Sequence, residues 1–269
     1  MSRRWLLLYV VLYMALLYAP IALLPIFAFN DGQVIAFPLQ GFSTRWFEGL
    51  WTNRTLHSAL WNSLVVAVIS SVLAVVLGIC AARASARYAF RGQGAVMGMI
   101  MVPLVLPEII VGVSVLIVVN TVLGLPLGLW AVIAAHVLIC TPFAVAVLSG
   151  AFQSLDPAME EAARDLGETP WGAFRTVTLP LVAPGIVASL LICFTISLDE
   201  FIIAFFLTGA SPTLPVYIWG LLRFPADLPI VMALGTLLVL ASIVLLTMAE
   251  IFRRRGAARA GRKDSGGFL

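Results

Sequence analysis

Long apolar stretches and short polar ones succeed each other along this chain, and within the apolar stretches polarity does not alternate. Each apolar stretch runs about 20 to 25 residues, the length a helix needs to cross about 30 Å of hydrocarbon. Backbone groups in lipid must bond to one another, which leaves helices or a closed barrel. A barrel would show segments of about ten residues with alternating polarity. The pattern therefore predicts six helical spans, at about 5–29, 56–82, 95–121, 129–150, 184–208 and 230–252.

The polar intervals punctuate these spans. Asn30 to Thr55 carries the breakers Gly32, Pro38 and Gly41; Arg83 to Gly94 reads RASARYAFRGQG; Gly124 to Gly128 is a tight turn. A polar segment fills about 151–183, a Gly/Pro-rich stretch runs from Gly209 to Pro229, and the tail reads RRRGAARAGRKDSGGFL. The organisation expected is a first helix with an external segment (1–55), a five-helix core with a polar loop at 151–183 (56–252), and a basic tail without fixed structure (253–269).

Composition agrees with residence in a membrane. Hydrophobic residues make up 62% and charged residues 11%, where a soluble domain carries roughly a quarter charged. Arg3 and Arg4 precede an apolar run reaching Phe29, longer than the core of a cleaved signal, so the first helix is expected to be retained. Cys80, Cys140 and Cys193 fall in separate spans, as small buried residues rather than disulfide partners or metal ligands. The net charge of +3 arises from basic residues at span edges and gives no nucleic-acid signal.

Orientation follows from those edges, because Lys and Arg accumulate on the cytoplasmic side. One side carries Arg3, Arg4, Arg83, Arg87, Arg91, Arg164, Arg175 and the basic tail; the other has Arg45, Arg54 and Arg223. Both termini and the 151–183 segment are thus expected in the cytoplasm.

That segment reads MEEAARDLGETPWGAFRTVTLPLVAPG from Met159. Asp156 is placed to cap a helix whose first turn tolerates Pro157. Glu160 and Glu161 fall in that turn, where the helix dipole favours acids. Ala162 and Ala163 add little bulk, and Gly167 is placed for a left-handed helix end. A second short helix is expected from Pro170 to about Thr178, stopping before Pro180. Such a small-surfaced elbow is shaped to enter a groove on another protein. The bland alternative is an amphipathic linker between two spans.

The spacing Glu161-Ala162-Ala163, three residues, Gly167, nine residues, Val177, one residue, Leu179-Pro180 resembles the EAA motif of ABC-importer permeases, a MetI-like transmembrane family. Val177 replaces the isoleucine of that pattern and keeps a branched apolar side chain. The resemblance implies that Glu160, Glu161, Ala162, Ala163 and Gly167 couple the chain to an ATPase, with Leu179 and Pro180 fixing the loop. It also implies an all-α polytopic permease of the bacterial inner membrane. Its implied partners are an ABC ATPase dimer, a second similar permease, an external substrate-binding protein and lipid. ATP and Mg would be held by the ATPase, with no cofactor in this chain. A phosphate-cradling loop needs Lys followed by Ser or Thr, and the one lysine, Lys263, precedes Asp264.

Three carboxylates interrupt apolar runs. Glu108, Asp199 and Glu200 each cost about 2.5–3.5 kcal/mol at a span centre, and such groups commonly face a bundle interior or a water-filled path. Counted from the cytoplasmic ends of their helices, Glu108 and Asp199 lie at about 20 and 22 Å, so the three acids are expected to line one ring. Pro103 and Pro107 place a helix break near Glu108. A carboxylate ring favours cations, and Phe194, Phe201, Phe205 and Trp219 offer aromatic faces to an amine. For Glu200 the alternatives are an interfacial position or pairing with an arginine of a neighbouring subunit. His136, in the fourth span, is read as a helix–helix hydrogen-bonding group in preference to a proton relay. The Gly209–Pro229 stretch is either a short re-entrant or interfacial segment or an ordinary external loop.

Beyond the EAA segment, GFSTRWFEGLW, RYAFRGQG, VPLVLPEII, FTISLDEFIIAFFLTG and LPVYIW resemble PotC-type permeases of spermidine/putrescine importers. The resemblance implies polyamine cargo, with acids matching its pattern at Glu108 and the Asp199-Glu200 pair; Phe201 and Trp219 join them as candidate pathway residues, the alternative for the aromatic residues being packing or interfacial anchoring. The alternatives are an ABC permease for another small solute, such as iron or another cation, and a stand-alone secondary transporter or channel. The latter lacks the internal repeat that would support it. A membrane enzyme would need a nucleophile–base pair or metal cluster, and none is legible.

Overall fold

The computed structural model describes residues 3–259, and within them no strand is formed. The first long helix, α1, spans Arg3–Ala28. Short α2 (Arg45–Thr52) follows, then α3 (Arg54–Arg87). The third apolar run is two helices, α4 (Gln93–Val105) and α5 (Glu108–Leu116), the latter continued by a π-helical turn, Ile117–Val122. After α6 (Leu129–Gln153) come α7 (Pro157–Asp165) and α8 (Pro170–Ala173). The chain ends with α9 (Leu179–Asp199), α10 (Ile202–Leu207), α11 (Leu214–Leu221) and α12 (Leu228–Arg259). Among the described residues, five helices are long and apolar enough to cross a membrane, and six spans result if α4 and α5 form one broken span.

α4 and α5 meet at a bend of 102°. Pro107 has no N–H to donate and disfavours helical geometry at Leu106, which is extended (φ −79°, ψ 137°). Pro103, by contrast, is carried inside α4. A second break interrupts the fifth span. The sequence predicts one helix over 184–208, but the chain leaves helical geometry at Glu200 (ψ 120°) before α10 begins.

Two further expectations are corrected. The helix opening at Pro170 does not stop before Pro180: it passes through a π-helical turn, Phe174–Thr178, and continues as α9 to Asp199. Pro180 lacks the N–H that an unbroken α-helical ladder would require of it, and the wider π turn immediately before it accommodates the gap. The basic tail expected to be unstructured from 253 is helical to Arg259, as the end of α12; the remainder of that expectation, 260–269, lies outside the described residues. The Gly209–Pro229 stretch contains α11 and a 3₁₀ turn, Pro225–Asp227.

The chain divides into two compact units. One comprises residues up to 54 and from 218 onward. In it α12 packs against α1 and α2, and Gly235 lets the Leu24 side chain approach α12 closely. Asn30 organises the segment after α1: its side chain accepts a bond from the Gln40 amide (3.0 Å), and its carbonyl accepts one from the Trp46 indole (2.8 Å). From Trp5 to Tyr18, α1 exposes nearly all its apolar side chains, as a lipid-facing helix does.

The other unit, residues 55–217, is built around α6. That helix packs most extensively on α9 and also touches α4, α5 and α10. Its buried face carries Val132, Ala135, His136, Ile139, Cys140, Ala144, Leu148 and Phe152. Lipid gives apolar side chains no hydrophobic reason to associate, so close backbone approach at small residues takes over. A Cβ on Gly78 of α3 would lie 2.8 Å from that of Ala144, and one on Gly185 of α9 would lie 2.7 Å from that of Ala151.

Candidate functional site

The polar elbow between α6 and α9 folds from local signals. Asp156 caps α7, its carboxylate accepting the Ala158 amide at 2.9 Å, and Pro157 occupies the first turn. At the other end Gly167 takes φ +95°. The Glu168 amide returns to the Ala163 carbonyl (3.1 Å) and the Gly167 amide to that of Arg164 (2.9 Å), the paired bonds of a Schellman end. Thr169 then caps α8 through the Gly172 amide at 3.0 Å.

The two acids of α7 point to different environments. Glu161 and Ala162 are exposed, as is Gly167, whereas Glu160 and Ala163 are buried. Leu179 is half-buried and Pro180 exposed. Between α7 and the π turn lies an apolar groove of about 430 Å³, lined by Ala158, Met159, Ala162, Ala163, Leu166 and Val177. Leu166 and Met159, 89% and 47% exposed, extend the groove into a contiguous apolar patch, the kind of surface that marks an interaction site.

Glu160 turns the other way. Its Oε1 lies 3.0 Å from Arg83 Nη2 and 3.4 Å from Arg164 Nη2, and its Oε2 lies 3.3 Å from Arg87 Nε. Arg83 and Arg87 stand four residues apart on α3 and so share a face. The Arg83 guanidinium also lies 4.0 Å over the Phe174 ring. Sequence reading gave these arginines to topology and missed the cluster. The available signal was the 160/163 spacing, which puts Glu160 on the same helix face as the buried Ala163.

The intramembrane acids all stand at helix breaks. Glu108 opens α5, Asp199 closes α9, and Glu200 occupies the gap before α10. α5 packs against α10, so the two breaks belong to one packed region. Glu108 and Asp199 are exposed and Glu200 is buried, so the adjacent carboxylates of 199 and 200 do not share an environment. Glu200 is occupied by its own fold: it accepts the Ile203 amide (3.1 and 3.0 Å to its two oxygens) and the Ala204 amide (3.3 Å), capping α10. Its Oε2 also lies 3.7 Å from His136 Nε2. His136 Nδ1 and Ser197 Oγ are 2.7 Å apart, a hydrogen bond joining α6 to α9.

The rings of Phe201 and Phe205 lie 5.6 Å apart between centroids and are tilted by 46° to each other, beside the same break. Trp219 lies on α11 in the unit that contains the first and last spans, and it is exposed. Cys140 and Cys193 face each other across α6 and α9, each thiol directed at the other's carbonyl (3.6 and 3.5 Å). Among the described residues, no group of three or more His, Cys, Asp or Glu side chains is placed to hold a metal.

Known proteins resemble this chain in sequence and in fold. The family model described as "Binding-protein-dependent transport system inner membrane component" matches residues 74–257. The spermidine/putrescine transport system permease protein PotC of Escherichia coli (strain K12) is 34% identical over 241 residues, covering 89% of this chain and 90% of that protein. The putrescine transport system permease protein PotI of the same organism is 36% identical over 272 residues, covering 96% of each. Among solved structures, a bacterial alginate ABC transporter in complex with an alginate pentasaccharide-bound periplasmic protein contains a chain with the same fold, at a TM-score of 0.69 and 22% identity over 94% of this chain and 95% of that one. The chain belongs to the family of binding-protein-dependent transport system inner membrane components.

Proposed function

We propose that this chain is a permease subunit of an ATP-driven polyamine importer, worked by a separate ATPase that docks on α7. The observation carrying the coupling role is the exposed groove of Met159, Ala162, Leu166 and Val177 on a helix whose ends are fixed by Asp156 and Gly167. Its apolar floor and small side chains fit a partner's surface, while the exposed Glu161 of the same helix is available to pair with a partner's cation. The cargo reading is supported by the spermidine and putrescine named for the two relatives, and by the exposed carboxylates Glu108 and Asp199 at membrane helix breaks. Phe201 stands at the same break and adds an aromatic face suited to an ammonium group.

The mechanism follows as alternating access. With both termini and α7 in the cytoplasm, a placement that the arginine distribution supports, closure of the ATPase dimer on ATP displaces α7. The α4–α5 and α9–α10 breaks are points at which a span can re-angle without unwinding. The path opens outward to receive a polyamine from an external binding protein, and hydrolysis returns it to the inward state. A second, similar permease completes the path. ATP and Mg belong to the ATPase; this chain supplies the conduit and the handle.

Proteoliposomes holding this chain with its companion permease and ATPase test the reading. Labelled spermidine or putrescine is predicted to enter only with ATP inside and loaded binding protein outside, and excess unlabelled polyamine should compete while ferric ion and sulfate do not. Competition by iron would move the chain to another cargo. Transport by this chain alone, without ATPase, would make it a channel or secondary transporter.

A further inference from the structure

Chain connectivity joins α7 directly to α6 on one side and, through Gly167 and α8, to α9 on the other. It does not join α7 to α3, which lies more than 70 residues earlier and supplies a long membrane span. A displacement of α7 reaches that span only through non-covalent contacts, and Glu160 sits where those contacts concentrate. We infer that Glu160, Arg83 and Arg87 form the joint that passes movement of α7 to α3, with Glu160 a positioning residue and no contact of the ATPase. The inference rests on the docking of α7 proposed above and adds the route by which its stroke enters the membrane.

Geometry separates this role from docking. The Glu160 side chain is 6% exposed and faces α3, away from the groove that a partner would cover. Arg83 and Arg87 are 21% and 14% exposed, so water and salt weaken the pairing less than at an open surface. One carboxylate serves three guanidinium groups. Taking away its charge leaves three like charges together, so the joint opens instead of merely loosening. Arg87 Nε and Nη2 are both buried without a hydrogen-bond partner, so Arg87 is held to Glu160 by the ion pair and not by a directed bond. Those spare donors leave the guanidinium room to change its contact with the carboxylate as α7 shifts.

The test uses the reconstituted transporter and the number of polyamines moved per ATP hydrolysed. Glu160→Gln and Arg87→Gln are each predicted to keep the ATPase bound within about twofold and to hydrolyse ATP, while the transport ratio falls about tenfold, a typical size for loss of coupling between sites. Because both residues act through one joint, the double variant should be no worse than either single variant. Glu161→Gln, one residue along and exposed, should weaken ATPase binding and leave the ratio in assembled complexes unchanged. Release of the ATPase by Glu160→Gln with an unchanged ratio would make Glu160 a docking residue and overturn the inference. Additive losses in the double variant, or an unchanged ratio in both single variants, would overturn it as well. If Glu160→Gln fails to reach the membrane, Arg87→Gln, on a different helix and outside the apolar groove, decides by the same ratio. Failure of the docking reading itself looks different: the unmodified chain would then bind no ATPase.

Discussion

Uptake of spermidine and putrescine is predicted to fall at least about 100-fold when Glu108 and Asp199 are both replaced by their amides, with the ATPase still bound. The size follows from what is lost. A hydrogen bond to a charged group is worth about 1.5–3 kcal/mol, so two of them amount to more than a factor of 100. The amides keep shape and polarity, and both positions are exposed at helix breaks, so the fold has little reason to respond. Glu200→Gln is the contrasting variant. Glu200 is buried, its oxygens are taken by the amides of Ile203 and Ala204, and its effect should appear in thermal stability more than in selectivity. Uptake assays paired with co-purification of the ATPase read both outcomes. Unchanged uptake in the double amide variant would remove these two acids from the path.

Placing a long cation in the α7 groove should have an equally large effect by another route. Ala162→Arg adds bulk and charge to a position that is exposed in this chain and lines the groove floor. Folding of the isolated subunit is undisturbed, because the side chain extends into solvent. An interface that covers Ala162 must then bury an unpaired guanidinium, and leaving a charge so buried costs several kcal/mol. Retention of the ATPase should fall more than about 100-fold, with ATP-driven uptake falling alongside it. An unaffected complex would mean that the groove is not where the motor binds.

The parts of this fold legible in the sequence are those set by local chemistry. Asp156, Pro157 and Gly167 mark the ends of α7 because caps and left-handed glycines act over three or four residues. Pro107 announces the break at Glu108 because the missing N–H and the steric effect on Leu106 are properties of the dipeptide. The break at Glu200 has no proline or glycine to betray it. It depends on a side chain folding back to cap α10, which competes with helix propensity only once α5 and α6 pack around it. Pro180 misled for the opposite reason, since a π turn absorbed the missing donor. The Glu160 cluster was hidden because its arginines lie on another span, and arginines at a span end already have an explanation in topology. Periodicity located the spans well, but in lipid the buried faces are marked by small residues such as Gly78 and Gly185 more than by hydrophobicity.

A single cysteine at position 162, in a chain whose Cys80, Cys140 and Cys193 have been replaced, tests the central claim most directly. In membranes containing the whole transporter, a short thiol cross-linker should join it to the ATPase, and a membrane-impermeant maleimide applied to intact cells should leave it unlabelled. Labelling from outside the cell, or no cross-link to any partner, would contradict the claim that an ATP-driven motor grips this chain at α7.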